Sequence, residues 1–258
     1  LVFIFIPPLK YFSLDQPNTR SSHKFPTPRG GGLSFVLVSI GASFMGLTQN
    51  IEIDLIMIPI LALPLAVIGF LDDLFNLPVV FRYGVQLSTA IGLAMLSPLS
   101  ISLIALPLLL VAITAVINFT NFMDGIDGLV ASCMLVCLLV AALSGSANLW
   151  PLVGSLLGFL IFNWNPAKVF MGDVGSTFLG AVFAGILLQA SNWQEALALL
   201  LVATPLLGDA CFCVFRRLLN KQKVFQAHKL HLFQRLHQAG WSHSKVAMIY
   251  ILATASIG

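Results

Sequence analysis

Charge is what this chain has least of. Asp, Glu, Lys and Arg make up only 9 % of its 258 residues, with 13 basic and 10 acidic side chains and a net charge of +3. No nucleic acid is expected as a partner of so apolar a chain. It also has no soluble domain, long linker, low-complexity run or obvious internal repeat. Its four cysteines lie inside apolar stretches, Cys133 and Cys137 four apart and Cys211 and Cys213 two apart. They read as small packing residues, and no disulfide or zinc framework follows from them. The first residue is Leu1 rather than Met, and the apolar runs at both ends are short. The expectation is therefore a fragment, truncated at both ends.

What remains is mostly apolar: 58 % of residues are hydrophobic and the mean hydropathy is +0.96. Eight segments are long and apolar enough to read as spans: Leu33 to Gln49, Leu55 to Leu71, Gly84 to Ser97, Ile101 to Ile117, Leu129 to Leu143, Trp150 to Phe162, Ser176 to Ala190 and Ala196 to Phe215. Leu1 to Leu9 and Val246 to Gly258 add two partial ones. The expected fold class is all-α: a polytopic transmembrane helix bundle of about ten helices, forming one integral-membrane domain over residues 1–258. Gly154 and Gly158 form a small-residue pair suited to close helix contact.

Alternating the spans sorts the polar loops into two sets. One set holds all 13 Lys and Arg residues; the other holds only Glu52, Asp54 and Glu195. The bias of Lys and Arg toward the cytoplasm makes the basic set cytoplasmic. Topology alone accounts for the basic residues, but not for Asp72, Asp73, Asp124, Asp127 and Asp173, which fall at helix ends on the same face. Carboxylates bordering lipid are costly and are usually functional.

Five loops on that face carry the chemistry. The first, Pro17 to Gly32, combines prolines and glycines with Lys24 and Arg29 and suits an anion. The second opens with Asp72-Asp73, adjacent carboxylates that need a cation or a shared proton, and Arg82 and Gln86 follow on the next helix. In the third, Asn118, Asn121, Asp124 and Asp127 recur at intervals of three, so their oxygens approach one face and suit a hard cation such as magnesium. The fourth sets Asp173 between glycines, three residues after Phe170, giving a carboxylate beside a flat apolar surface. Asn163 begins that loop. The last, Arg216 to Lys245, is basic and contains His228 and His231. Their i, i+3 spacing permits zinc, but no third ligand of the usual kind lies nearby in sequence, so anion binding is the expectation.

The set Asp72-Asp73, Asn118-x-x-Asn121-x-x-Asp124-Gly-x-Asp127-Gly, Pro166-Ala-x-Val-Phe-Met-Gly-Asp173-x-Gly-Ser and His228-x-x-His231 resembles the polyprenyl-phosphate N-acetylhexosamine-1-phosphate transferases, glycosyltransferase family 4. The likeness runs in order along nearly the whole chain. It implies a catalytic domain that moves sugar 1-phosphate from a UDP-N-acetylhexosamine to undecaprenyl phosphate, releasing UMP, with magnesium as cofactor and manganese as an alternative. Carried over by motif, Asn121 and Asp173 would hold the metal, Phe170 would stack on uracil and Asn163 would help bind the nucleoside. Lys24 would face the pyrophosphate, with Arg29 and Asn118 also on the substrate side. Asp72, Asp73, Asp124 and Asp127 would form the catalytic group, and His228 and His231 would lie in the loop linked to sugar recognition. The place implied is the bacterial cytoplasmic membrane, with the site facing the cytoplasm and a homodimer left open.

The chain departs from the muramoyl-pentapeptide branch in two places. That branch has three consecutive His residues in the last loop and several Lys after the Asp pair; this chain has His228-Lys-Leu-His231 and Leu74-Phe75-Asn76. Its first loop looks more like the branch that starts surface polysaccharides. Two rivals remain beside phospho-N-acetylmuramoyl-pentapeptide transfer. A CDP-alcohol phosphotransferase would need Ala-Arg after the Asp-Gly pair, where Leu129-Val130-Ala131 stands. An ion-coupled transporter would need midplane carboxylates, a place that only Asp209 occupies.

Overall fold

The computed structural model describes residues 1–17, 25–48, 53–222 and 228–258. Its elements run α1 (Val2–Phe12), β1 (Leu14–Asp15), β2 (Thr27–Pro28), α2 (Leu33–Thr48), α3 (Ile53–Phe75), α4 (Val79–Met95), α5 (Leu106–Phe122), α6 (Leu129–Leu143), α7 (Trp150–Asn163), α8 (Asp173–Leu188), α9 (Trp193–Val202), α10 (Thr204–Leu219), α11 (Leu232–Gln238) and α12 (His243–Ile257). The all-helical expectation holds, with a two-residue antiparallel ladder added where Leu14 faces Pro28 and Asp15 faces Thr27.

Twelve helices replace the expected ten, for two reasons. The stretch read as one span from Ala196 to Phe215 is broken at Ala203, and α9 and α10 meet at 85°. Pro205 sits in the first turn of α10, where its missing N–H is harmless to the new helix but cannot continue the old one. The last loop also forms the short helix α11. Proline explains shifted boundaries elsewhere. Pro78 caps α4, which starts before the expected Gly84, and Pro107 opens α5, which runs past the expected Ile117 to Phe122. The last turn of α5 therefore carries Asn118 and Asn121, just as the last turn of α3 carries Asp72 and Asp73.

The apolar helices fall where the expected segments lie, and most of them are short. Among the described residues, α3 alone is long and apolar enough to cross a membrane unbent, over Leu55–Phe75 with a hydropathy of 2.4. The bent pair α9–α10 passes the same test only when taken together, and the other apolar helices have 11 to 17 residues. The outside of the bundle is nonetheless apolar: Phe3, Leu103 and Ile104 are among many large exposed hydrophobic side chains, Ile104 at 95 %. A surface like this calls for lipid or another apolar cover.

The core centres on α8. From Val174 to Leu188 every residue but the half-buried Leu187 is buried, and the helix packs chiefly against α3 and α5. Gly69 of α3 makes that packing close, because a Cβ there would stand 2.6 Å from the carbonyl carbon and oxygen of Asp173. Two backbones thus touch where the acidic residues are clustered. Gly154 and Gly158 play no such part: a Cβ on either would meet nothing within 4 Å.

Candidate active site

The five loops meet at one end of the bundle. Arg29 of the first reaches Asp73 of the second, Nη1 to Oδ1, at 3.5 Å and Asp15 at 3.3 Å. The first also pairs with the fourth: the Phe170 amide donates to Pro28 O at 2.8 Å, and Gly31 donates to Phe170 O at 2.9 Å. Arg82, on the helix after the second loop, pairs with Asp72 and lies 3.5 Å from Asp173 Oδ2. Asp127 of the third accepts from Asn165 Nδ2 at 2.7 Å and from the Ala167 amide at 3.1 Å in the fourth.

Asp72 and Asp73 close α3 at its C-terminal end, where the helix dipole disfavours a carboxylate. Each has compensation. Asp72 is held by Arg82 and by the Leu77 amide, which donates to Oδ1 at 2.7 Å. Asp73 accepts from the Asp173 and Val174 amides at 3.1 and 3.4 Å, so it caps the N-terminus of α8. That contact needs Gly172, at φ +77°, whose Cβ would stand 2.4 Å from Asp73 Oδ2. The adjacent carboxylates thus point to different partners, which is how they coexist.

A cavity of about 320 Å³ lies beside this junction, lined by α3, α4, α5, α8 and the last loop. Asn118, Asn121, Asp173, His228 and His231 line it together. Asn121 donates through Nδ2 to Ser176 Oγ at 3.0 Å, which holds its amide with Oδ1 free of hydrogen bonds among the described residues. Asn118 and Gln86 exchange reciprocal hydrogen bonds at 2.8 and 3.2 Å. Asp72 borders the cavity through Arg82, and Asp73 through the Asp173 amide.

The other predicted residues lie outside the cavity lining. Arg29 and half-buried Phe170 form the strand-like joint of the first and fourth loops. Asn163 is buried and uses both amide atoms on the backbone, accepting from Gly128 N at 3.1 Å and donating to Val169 O at 3.0 Å. Lys24 lies outside the described residues.

Asp124 and Asp127 differ in state. Burial pushes Asp124 up to about 7, against the pull of Arg29 and with repulsion from Asp173 and Asp127 adding to it. Burial acts on Asp127 in the same direction, but the close His243 ring and hydrogen bonds from Asn165 and the Ala167 amide outweigh it and hold the carboxyl below its usual range. His243 Nδ1 stands 3.3 Å from Asp127 Oδ1. Burial pushes His228 down to about 4, assisted by Arg217, His231 and Arg216, so its ring is uncharged at neutral pH.

The sequence reading left several residues out of the site. Arg82 and Gln86 line the cavity, as do Tyr83 and Gln234. Gln234 stands three residues after His231 and continues its spacing, a signal that was available. Asp209 is no isolated midplane carboxylate: it accepts from the Leu232 and Phe233 amides at 2.7 and 3.1 Å and from Tyr250 Oη at 2.8 Å. It thereby fixes the start of α11 directly after His231. Cys213, read as packing alone, approaches both histidines.

Acidic and amide side chains turned into one cavity of an apolar helical bundle are the setting of a helical phospho-transfer enzyme. The family described as "Glycosyl transferase family 4" matches residues 55–191, and the chain belongs to that family. It is 31 % identical to the probable undecaprenyl-phosphate N-acetylglucosaminyl 1-phosphate transferase of Bacillus subtilis, over 95 % of this chain and 75 % of that one. The decaprenyl-phosphate N-acetylglucosaminephosphotransferase of Mycobacterium leprae is 29 % identical over 92 % of this chain and 73 % of its own length. The phospho-N-acetylmuramoyl-pentapeptide-transferase of Deinococcus radiodurans is 32 % identical over 93 % of this chain and 85 % of its own length.

Proposed function

We propose that this protein transfers N-acetylhexosamine 1-phosphate from a UDP-sugar to undecaprenyl phosphate, releasing UMP, as the first membrane step of a cell-envelope polysaccharide. The observation that carries the reading is the cavity itself, which gathers Asp173, Asn121, Arg82 and the histidine pair beside Asp72 and Asp73. The muramoyl-pentapeptide reading is weaker because the last loop lacks the triple histidine. The enzyme would sit in the bacterial cytoplasmic membrane with this face toward the cytoplasm, in keeping with its one-sided basic loops.

Charge repulsion is the main obstacle to the reaction. A phosphomonoester is mostly a dianion at neutral pH, with a second pKa near ~6. One pair of like unit charges ~4 Å apart costs about 4 kcal/mol at an effective dielectric of about 20, and this encounter involves several. Cations must therefore dominate. Magnesium fits the donors present: Asp173 offers a carboxylate and Asn121 a free amide oxygen. No closed cage of three carboxylates forms among the described residues, which suits an ion that keeps water and substrate phosphates as ligands. When bound, magnesium would supply charge neutralisation at the pyrophosphate and the leaving UMP.

The protein's own groups do the rest. Arg82 holds Asp72 and approaches Asp173, which places a guanidinium at the junction where phosphate oxygens would gather. So engaged, Asp72 is suited to position a nucleophile that is already ionised rather than to remove a proton from it. His228, uncharged and at the cavity wall, accepts the Leu230 amide on Nδ1 at 3.2 Å, so its Nε2–H can donate a hydrogen bond toward a sugar without adding charge.

The test uses membranes containing the protein, undecaprenyl phosphate and a panel of UDP-N-acetylhexosamines. Magnesium-dependent UMP release is expected with at least one donor, and Asp173→Asn should lower it by about 100- to 1000-fold. Failure with every donor, from a folded protein, refutes the reading.

A further inference from the structure

The last loop meets α10 in a cluster whose thiol the proposed phosphate transfer does not use. The thiol of Cys213 on α10 and one ring nitrogen each of His228 and His231 all lie within 4.8 Å of one another. Cys213 and His231 are 2 % and 3 % exposed, and His228 is half-buried toward the cavity. The histidine rings stack with centroids 4.9 Å apart, and Phe233 stacks on the far side of His231 at 5.7 Å. His231 Nδ1 is buried, and the ring faces the Gln234 backbone N–H across the capping box that opens α11. A buried ring nitrogen held this loosely is open to a stronger ligand.

The donors decide what that is. One thiolate and two imidazoles form a soft to borderline set that selects zinc-like ions over magnesium or calcium. Three protein ligands leave the fourth position of a tetrahedral ion for water or substrate, and half-buried His228 gives access from the cavity. We propose that Cys213, His228 and His231 form a binding site for a thiophilic divalent cation such as zinc, separate from the acidic group and set in the wall of the same cavity. Binding replaces the S–H bond of Cys213 with a sulfur–metal bond, and the proton leaves to solvent. Arg216 and Arg217 border the cluster and oppose a bare dication, whereas the thiolate and the Asp209 carboxylate nearby favour it. Site occupancy takes both histidines away from substrate, so zinc becomes an inhibitor. That consequence rests on the transfer function proposed above, but the binding itself does not.

Cobalt(II) titration of the purified protein in detergent separates the two. One equivalent should produce a thiolate-to-cobalt charge-transfer band and the visible bands of a tetrahedral centre, which zinc removes and excess magnesium leaves unchanged. Cys213→Ser, with Cys213→Ala as a second variant free of any polar donor, should lose the thiolate band and bind at least about tenfold more weakly. Cys211→Ser, on the same helix but exposed, should keep it. No thiolate band in the parent protein, or an unchanged band in both Cys213 variants, overturns the proposal. In the UMP-release assay zinc should inhibit the parent enzyme and spare Cys213→Ser. A cobalt site in a protein that releases no UMP from any donor upholds the metal site and sinks the transfer reading alone.

Discussion

Asp124 and Asp127 belong to one short turn between α5 and α6, yet their surroundings set them apart. Asp127 is surrounded by donors: a histidine ring, an asparagine amide and a backbone N–H tie it to the fourth loop and to the start of α12. Asp124, half-buried, has a distant guanidinium and other carboxylates for company. A carboxylate whose lone pairs are satisfied by the protein holds the fold together. One left short of partners and high in energy as an anion is available for a cation or a substrate. Two copies of the same Asp-Gly motif thus do different work, and only their surroundings tell them apart.

The largest effect that can break this contrast is on activity at Asp124. Asp124→Asn should reduce UMP release by about 100-fold, with the thermal midpoint unchanged or raised. Its pH profile gives a sharper check. A carboxyl raised to about 7 is mostly protonated below that value, so parent activity should climb from pH 6 and level off above 7, a limb that Asp124→Asn flattens. The same shift has a stability consequence: the raised value favours folding below the unfolded-state value near 4, and the advantage fades as pH rises through about 7. A variant that keeps full activity and the sloping limb shows that Asp124 takes no part.

Backbone geometry supports the junction of the acidic residues, so the next effect is structural and acts at Gly172. Alanine there must occupy left-handed backbone and collide with Asp73, a strain of about 1 to 3 kcal/mol. UMP release should fall by about tenfold or more, together with a lower unfolding midpoint. A variant as stable and active as the parent shows that Asp73 has other positions open to it.

The smallest effect on activity is expected at Asp127. Asp127→Asn should cost about 1 to 3 kcal/mol of stability by leaving donors short of an acceptor, while UMP release falls less than for Asp124→Asn. Because Asp127 is held below its usual range, its stabilisation is present above the unfolded-state value and is lost as pH falls through the folded one. Thermal unfolding of parent and variant should therefore converge on acidification. If Asp127→Asn is the more damaging of the two to activity, the assignment of the two residues is reversed.

The sequence was legible where chemistry depends on residue type and order. Helical class, the meeting of five loops and the placement of Asn118, Asn121, Asp173, His228 and His231 around one cavity follow from spacing and apolar alternation. It was less legible where proline overrode hydropathy: the break at Ala203 and the displaced starts of α4 and α5 come from single residues within apolar runs. Least legible were partners distant along the chain. Cys213 reaches His228 and His231 only because α10 turns back under the last loop, and Asp209 looked like a lone charge until Leu232, Phe233 and Tyr250 folded against it. Asp124 and Asp127 look equivalent as letters, since burial and donors are properties of the fold.

The contact of Gly69 with the Asp173 carbonyl gives the protein an unusual freedom. The distance between the end of α3 and the start of α8 is set by main chain against main chain, with no side chain acting as a spacer. The apolar residues around that joint can be exchanged over generations while the acidic residues keep their mutual geometry. Relatives sharing about three residues in ten can therefore hold a common reaction centre while rewriting the bundle around it.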